Sequence, residues 1–279
     1  MIAESTVEEA ALEILEGLGY TILHGPEIAP GELLAERTDY SEVVLVERLQ
    51  QALARINPRV PGEAIEEAVR KILSIQAPNL EESNRRFQRF LTDGINVEYR
   101  ASDLPAQAGR IVYDQVQLFD FDDPANNDWL AVNQFTVIEN KNNRRPDVVI
   151  FLNGLPLAVF ELKNLADENA TIKDAFDQFQ TYKHDIPSLF HTNELLIISD
   201  GIQARTGTIT SGWERFMPWR TIAGDRVEPK GSLEQEVLIR GIFEKRRFLD
   251  LVRNFVVFED SGKSLAKKIA GYHQVRAEI

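Results

Sequence analysis

The stretch that decides the fold is RRPDVVIFLNGLPLAVFELKN, residues 144–164. Two apolar runs, 148–152 and 155–160, flank the dipeptide Asn153-Gly154, which favours a tight turn between antiparallel strands. Both runs are apolar at nearly every position, so we expect two strands that are buried on both faces. The stretch therefore predicts a hairpin in the middle of a sheet that is covered on both sides.

Three charged side chains lie at the open end of this hairpin. Asp147 opens the first strand, while Glu161 and Lys163 close the second and share a face. Burying such charges is costly without a compensating partner, and a divalent cation would supply one. We predict that the two carboxylates and the backbone carbonyl of Leu162 bind Mg²⁺, or Mn²⁺ in its place. Lys163 would orient or help deprotonate the attacking water and stabilise the transition state of phosphodiester hydrolysis.

The alternative interpretation of these residues is structural. Asp147 would then be a turn residue, and Glu161 and Lys163 an ion pair at a strand end. The D…ExK pattern is short and common, so taken in isolation it favours this second interpretation. The context of a proline before the aspartate, a tight turn and two buried strands favours the metal site.

The register of the hairpin offers a test. A regular two-residue loop pairs Asp147 with Phe160, and Asp147 and Glu161 then point to opposite faces of the sheet. For the two carboxylates to share an ion, the hairpin needs a three-residue loop, a β-bulge or a local twist at Pro146. We predict one of these three.

Further candidates come from two predicted helices. In the helix at 171–184, Gln178 and Tyr182 lie one turn apart, where they could hydrogen-bond the charged cluster or hold a DNA backbone. They could equally be polar residues at the margin of the core. In the helix at 5–19, Glu8 borders the apolar stripe and is a candidate to reach the metal ion, with Glu4 and Glu9 as rival candidates. A solvated acidic face is the alternative interpretation.

Composition narrows the chemistry and the location. The chain has no cysteine and only four histidines, none in a close pair, which excludes thiolate sites and disfavours a histidine zinc site. A metal here should be a hard cation on oxygen ligands. We expect neither a membrane span nor a secretory signal, and a cytoplasmic location.

Charge leaves DNA binding undecided. The net charge of −13 argues against a protein that coats nucleic acid. Residues 1–69 account for −10 of it, so the rest of the chain is close to neutral. That part carries three basic clusters with the capacity to contact phosphate: Arg85-Arg86-Arg89, Lys141-Arg144-Arg145 and Lys245-Arg246-Arg247.

Helical and strand patterns alternate along the chain. The predicted helices are 5–19, 41–56, 62–76, 171–184, 232–252 and 261–277. The predicted strands are 95–99, 111–119, 130–138, 147–152, 155–163 and 194–199. This mixture indicates an α/β fold with a mixed sheet flanked by helices, and with extra helices near both termini.

With these residues in hand, the chain resembles the amino-terminal PD-(D/E)xK nuclease region of the R (HsdR) subunit of type I restriction enzymes. The matching stretches include VEEAALEILEGLGY, FDDPANNDWLAVNQFTV, RRPDVVIFLNGLPLAVFELKN, DQFQTYKHDIPSLF and LLIISDGIQARTGTITSGWERFMPWR. The resemblance implies a restriction-endonuclease-like core, in which Asp147, Glu161 and Lys163 are the PD…ExK residues. It also implies that Gln178 and Tyr182 are the QxxxY pair and that Glu8 is the early glutamate.

The same resemblance implies a domain division and a set of partners. It predicts an endonuclease domain over 1–230, with a helical insertion at about 41–76, and a helical linker over 231–279 that leads to an absent helicase motor. Ser261-Gly262-Lys263-Ser264 imitates the end of a P-loop, but Val257 stands where the first glycine is required. We therefore expect ATP to act only through the missing motor. The expected partners are double-stranded DNA and the M and S subunits.

The leading hypothesis from the sequence is thus a Mg²⁺-dependent endonuclease domain of a type I site-specific deoxyribonuclease, cutting DNA without strong sequence specificity of its own. One alternative keeps the site but assigns it to repair or to RNA. Another is a non-catalytic docking module whose acidic first helices bind the motor or a methyltransferase subunit.

Overall fold

The helices and strands of the protein are taken from a computed structural model that describes residues 4–100, 110–163 and 171–275. The helices are α1 Glu4–Gly17, α2 Val46–Ile56, α3 Gly62–Leu73, α4 Leu80–Asp93, α5 Ile172–Asp185, α6 Glu234–Ile242, α7 Lys245–Asn254 and α8 Tyr272–Val275. The strands are β1 Thr21–His24, β2 Ile95–Arg100, β3 Ile111–Val116, β4 Trp129–Asn133, β5 Val137–Glu139, β6 Asn142–Arg144, β7 Val148–Leu152, β8 Leu155–Leu162, β9 Leu195–Ser199, β10 Ala204–Gly207, β11 Val256–Asp260 and β12 Leu265–Ile269.

A six-stranded mixed sheet forms the centre of the fold, in the order β1-β4-β7-β8-β9-β10. The pairs β1–β4 and β8–β9 are parallel, and the other neighbours are antiparallel. Every residue of β7, β8 and β9 is buried, as the continuous apolar runs predict for strands covered on both faces. The predicted α/β class, with a mixed sheet between helices and extra helices near both termini, is confirmed.

Successive residues of β8 show which helix covers which face. The ring of Phe160 packs against Phe243, at the end of α6, with 5.2 Å between ring centroids. The next side chains of opposite parity, Glu161 and Lys163, reach α5 instead, where Lys163 contacts Gln178. Because alternate residues of a strand point to opposite faces, α5 and the α6 segment lie on opposite sides of the sheet.

Asn153-Gly154 forms the predicted two-residue turn. Both residues have positive φ, 52° and 78°, which is the conformation that a type I′ hairpin turn requires. A Cβ atom at Gly154 would also lie 2.4 Å from the carbonyl oxygen of Leu45. Glycine is therefore needed here both for its backbone conformation and for the close approach of the chain before α2.

Near the carboxyl end, the predicted helix at 261–277 is wrong. Of its described residues 261–275, Leu265–Ile269 form β12, which pairs with β11 in an antiparallel hairpin, and Tyr272–Val275 form the short helix α8. The charged and apolar spacing of the segment imitated a helix, but Lys267 points into the protein and is buried. The predicted helix at 232–252 is also interrupted, because Glu244 caps the start of α7 with its carboxylate.

Among the described residues, five α-helices or strands were not predicted at all: β1, α4, β6, β10 and β11. The parallel edge strand β1 is too short to show a periodicity. Helix α4 had a recognisable start, since the side chain of Asn79 accepts a hydrogen bond from the Glu82 amide at 2.8 Å. The domain boundary at 230/231 stays a prediction. Within the described residues, no helix is both long enough and apolar enough to span a bilayer.

Candidate active site

A β-bulge in the β7–β8 hairpin decides where the charged residues point. Leu152 pairs with Leu155 and Phe151 with Pro156, as in a regular two-residue hairpin. The register then shifts, so that Ile150 pairs with Ala158 and the residue between Pro156 and Ala158 is extra. Of the three devices predicted from the sequence, the structure therefore uses the bulge.

The bulge brings the two carboxylates to the same face of the sheet. Beyond it, Val148 pairs with Phe160, and continuing this register by one residue places Asp147 opposite Glu161. Directly opposed residues of an antiparallel pair share a face. Asp147 Oδ2 accepts a hydrogen bond from the backbone amide of Leu162 at 2.6 Å, which ties the start of β7 to the end of β8.

Lys163 completes the predicted trio. Its Nζ atom lies 2.7 Å from Glu161 Oε1 and forms an ion pair in which the side chains are 13% and 2% exposed. The same Nζ donates to Gln178 Oε1 at 2.8 Å, and Gln178 Nε2 donates to the Tyr182 hydroxyl at 2.5 Å. A continuous chain of hydrogen bonds thus joins β8 to the middle of α5.

The electrostatics of the site are those of a crowded, desolvated carboxylate. Burial, together with the nearby charge of Asp147, raises the pKa of Glu161 to about 8, against the opposing effect of Lys163. Burial and the Glu161 carboxylate also raise the pKa of the Tyr182 hydroxyl above its ordinary value of 10.0. Tyr182 is therefore a neutral hydrogen-bonding group at physiological pH.

The donor set suits a hard cation. Glu161 Oε2 is buried and makes no hydrogen bond of standard geometry to any described residue. The Leu162 amide faces Asp147, and the carbonyl of a strand residue points to the same side of the strand as its amide. No group of three or more histidine or acidic side chains suited to a metal exists among the described residues. Two carboxylates, one carbonyl and water are the ligands that remain, and Mg²⁺ accepts such a set.

Glu8 lies at the same end of the sheet but is engaged by amides. Its two oxygens accept hydrogen bonds from Asn133 Nδ2 at 2.7 Å and Gln134 Nε2 at 2.5 Å. The backbone amide of Gln134 in turn donates to the Asp147 carbonyl at 2.9 Å. Glu8 therefore contacts the residues that hold Asp147, and its role at the metal stays a prediction.

Three features of this site were not predicted from the sequence. Asn133 and Gln134 were assigned to one long strand, although Gln134 has a φ of 55° and ends β4. The role of the Leu162 amide was not foreseen, only that of its carbonyl. The position of the bulge had a signal, since Pro156 inside the second apolar run is a residue that sheets tolerate mainly at bulges and edges.

Known proteins resemble this chain over most of its length. Residues 1–215 match the family model described as type I restriction enzyme R protein N terminus. The HindI endonuclease subunit of a type I restriction enzyme from Haemophilus influenzae is 38% identical over 98% of this chain and 26% of its own length. A putative type I endonuclease subunit from Methanocaldococcus jannaschii, MjaIXP, is 31% identical over 96% of this chain and 26% of its own length. The chain spans about a quarter of the curated relatives that it matches.

Proposed function

This chain belongs to the family of type I restriction enzyme R protein N-terminal regions, and we propose that it is the Mg²⁺-dependent endonuclease domain of such a subunit. The observation that carries the proposal is the convergence of Asp147, Glu161 and Lys163, which the bulge in β7–β8 makes possible. In a regular hairpin the two carboxylates would diverge.

The metal ion would be held by Asp147, Glu161 and the Leu162 carbonyl. When bound, it supplies Lewis-acid activation of water and neutralises charge on the scissile phosphate. Glu161 must be ionised to bind the cation, and its raised pKa makes metal binding and proton release coupled events. The buried environment strengthens each of these electrostatic interactions.

The amine of Lys163 supplies a second positive charge at the phosphate, beside the metal ion. Lys163 Nζ donates a hydrogen bond to Gln178 Oε1 at 2.8 Å and lies 2.7 Å from Glu161 Oε1. The ammonium is therefore fixed in position before the substrate arrives. A fixed ammonium of this kind orients the attacking water and stabilises negative charge that develops in the transition state. The Tyr182 hydroxyl accepts a hydrogen bond from Gln178 Nε2 and thereby fixes the position of Gln178.

Specificity and translocation would come from elsewhere in the assembly. We propose that the domain cuts double-stranded DNA without strong sequence preference. In this proposal M and S subunits supply methylation and recognition, and an ATP-driven motor supplies translocation. The net charge of −13 supports this division, because a domain of such charge binds DNA weakly by itself.

A joint measurement of metal binding and cleavage tests the proposal. Mg²⁺ or Mn²⁺ is titrated by calorimetry into the wild-type chain and into Glu161→Ala, and nicking of supercoiled plasmid is followed with both. We expect the wild type to bind the ion and nick the plasmid, and Glu161→Ala to lose both while remaining folded. Glu9→Ala, an exposed glutamate of α1, is the control and should match the wild type.

Two results would contradict the proposal. The first is plasmid nicking that persists in Glu161→Ala, which would place the chemistry elsewhere. The second is a wild-type chain that neither binds the ion nor cuts DNA, which would favour a non-catalytic docking module.

A further inference from the structure

A groove with a volume of about 520 Å³ lies beside the candidate site. One wall is formed by residues 143–145, where β6 ends, and the other by α5. The α5 wall includes Gln178 and Tyr182, which connect by hydrogen bonds to Lys163. A ligand bound in this α5–β6 groove therefore lies against Gln178 and Tyr182, and Gln178 is one hydrogen bond away from Lys163.

Most of the charges around the groove are already paired within the protein. Arg144 donates from Nε and Nη2 to Asp185 Oδ2 at 2.8 and 2.5 Å, which fastens β6 to the end of α5. Asp177 Oδ1 forms an ion pair with Lys173 Nζ at 2.6 Å. The carboxylate of Asp174 accepts hydrogen bonds from the amide and the hydroxyl of Thr171, both at 2.7 Å, and caps α5.

Arg145 is the exception. Its side chain lines the groove and is exposed, and it makes no hydrogen bond, ion pair or ring contact with any residue that the structure describes. Pro146 follows it, and a residue before proline is restricted to extended backbone. The guanidinium is thus carried by a restrained segment, two residues before Asp147, with its donors uncommitted.

The hairpin that carries Arg145 holds a second exposed cation at its tip. Asn140 and Lys141 form the turn between β5 and β6 with φ of 49° and 70°. This conformation suits asparagine at the first position, but the second strongly favours glycine, so a lysine there carries a conformational cost.

We propose that the α5–β6 groove binds the phosphodiester backbone of DNA, and that Arg145 holds a phosphate next to the one that is cleaved. The proposal rests on the function proposed above. A guanidinium presents paired donors that match two phosphate oxygens, and such contacts fix the position of a duplex without reading its sequence. Arg145 is therefore a positioning residue for the substrate.

The salt dependence of DNA binding tests this assignment. A short fluorescent duplex is titrated, with Ca²⁺ in place of Mg²⁺, against the wild type, Arg145→Ala, Arg145→Lys and the control Arg59→Ala. Arg59 is another exposed arginine, in the loop between α2 and α3. We expect Arg145→Ala to reduce the slope of log K against log salt by about 0.9, the value for one lost phosphate contact. Arg145→Lys should keep the slope but bind more weakly, and Arg59→Ala should match the wild type.

The outcomes separate this proposal from the nuclease proposal. A slope for Arg145→Ala equal to that of Arg59→Ala, or a wild type that does not bind the duplex at low salt, would overturn the groove assignment and leave metal binding at Glu161 unaffected. If polyglutamate competed with the duplex and bound with the same dependence on Arg145, the groove would instead be a site for acidic polypeptide. If binding depends on Arg145 but neither metal binding nor cleavage depends on Glu161, the nuclease proposal fails alone.

Discussion

Among the residues that the structure describes, two buried glutamate–lysine pairs differ in what surrounds them. Glu194 and Lys267 are both fully buried, with Nζ 2.5 Å from Oε2, and they lie beneath the β11–β12 hairpin. Glu161 and Lys163 are 2.7 Å apart at the end of β8, with the lysine 13% exposed. Both glutamates carry buried oxygens without a standard hydrogen bond, so that feature alone does not identify a metal site.

The difference lies in charge balance and access. Lys267 also donates to Asn84 Oδ1 at 2.7 Å and to the Asn193 carbonyl at 2.8 Å, so the pair is neutral, saturated at the amine and closed to solvent. The Glu161 pair has a second carboxylate, Asp147, as a neighbour, and Lys163 connects through Gln178 to the α5–β6 groove. One excess negative charge beside a partly exposed amine favours a cation, whereas a neutral enclosed pair holds a hairpin in place.

The largest expected effect on stability comes from Lys267→Met. Removing one partner of a buried pair leaves a buried charge uncompensated, and we expect the free energy of unfolding to fall by about 3–5 kcal/mol. Denaturant titration measures this loss. Lys268→Met, on the neighbouring and partly exposed residue of β12, is the control and should change stability by less than about 1 kcal/mol. Equal effects of the two substitutions would remove the contrast between the pairs.

In contrast to Lys267→Met, Lys163→Met should affect catalysis rather than stability. We expect cleavage to fall by a factor of about 10²–10³ because a fixed charge at the phosphate is lost. Calorimetry should still detect metal binding, since both carboxylates remain. Lys230→Met, at an exposed lysine before α6, is the control for cleavage. Retention of full activity in Lys163→Met would show that the amine acts only in the fold.

The stability of the metal-free protein should fall as pH rises through the interval between about 4.5 and 8. The pKa of Glu161 is raised to about 8 in the folded chain, against 4.5 for an ordinary glutamate, so the folded state binds more protons than the unfolded state in this window. Glu161→Gln removes this contribution and should flatten the dependence. Denaturation in a chelator at several pH values measures it, and identical curves for the two proteins would refute the raised pKa.

The smallest effect is expected from Gln178→Ala. The substitution removes one hydrogen bond to the Lys163 ammonium and leaves the carboxylates in place. We expect kcat to fall about tenfold with KM unchanged, which matches the loss of one charged hydrogen bond. Gln180→Ala, an exposed residue of the same helix, is the control. A change in KM alone would assign Gln178 to substrate binding.

The sequence predicted most of what local pattern controls. The buried hairpin, its Asn153-Gly154 turn and the need for a device such as a bulge all followed from the residues around Asp147 and Glu161. These features depend on neighbours within about twenty residues of the chain, where alternation and turn preferences act directly.

The sequence did not predict what distant contacts control. Lys267 belongs to a segment that imitates a helix, and its burial depends on Asn84 and Asn193, which are far away in the chain. The hydrogen bond from Gln134 Nε2 to the Glu8 carboxylate likewise joins α1 to the end of β4. No periodicity encodes such pairings, because they arise only when separate elements pack together.

The most direct test of the central claim is the position of a bound Mn²⁺ ion, measured by anomalous scattering from crystals soaked in the metal. We predict one dominant peak within coordination distance of carboxylate oxygens of both Asp147 and Glu161, and the absence of this peak in crystals of Glu161→Ala. A dominant peak elsewhere, or no peak between those two side chains in a crystal soaked to saturation with Mn²⁺, would contradict the proposed metal site.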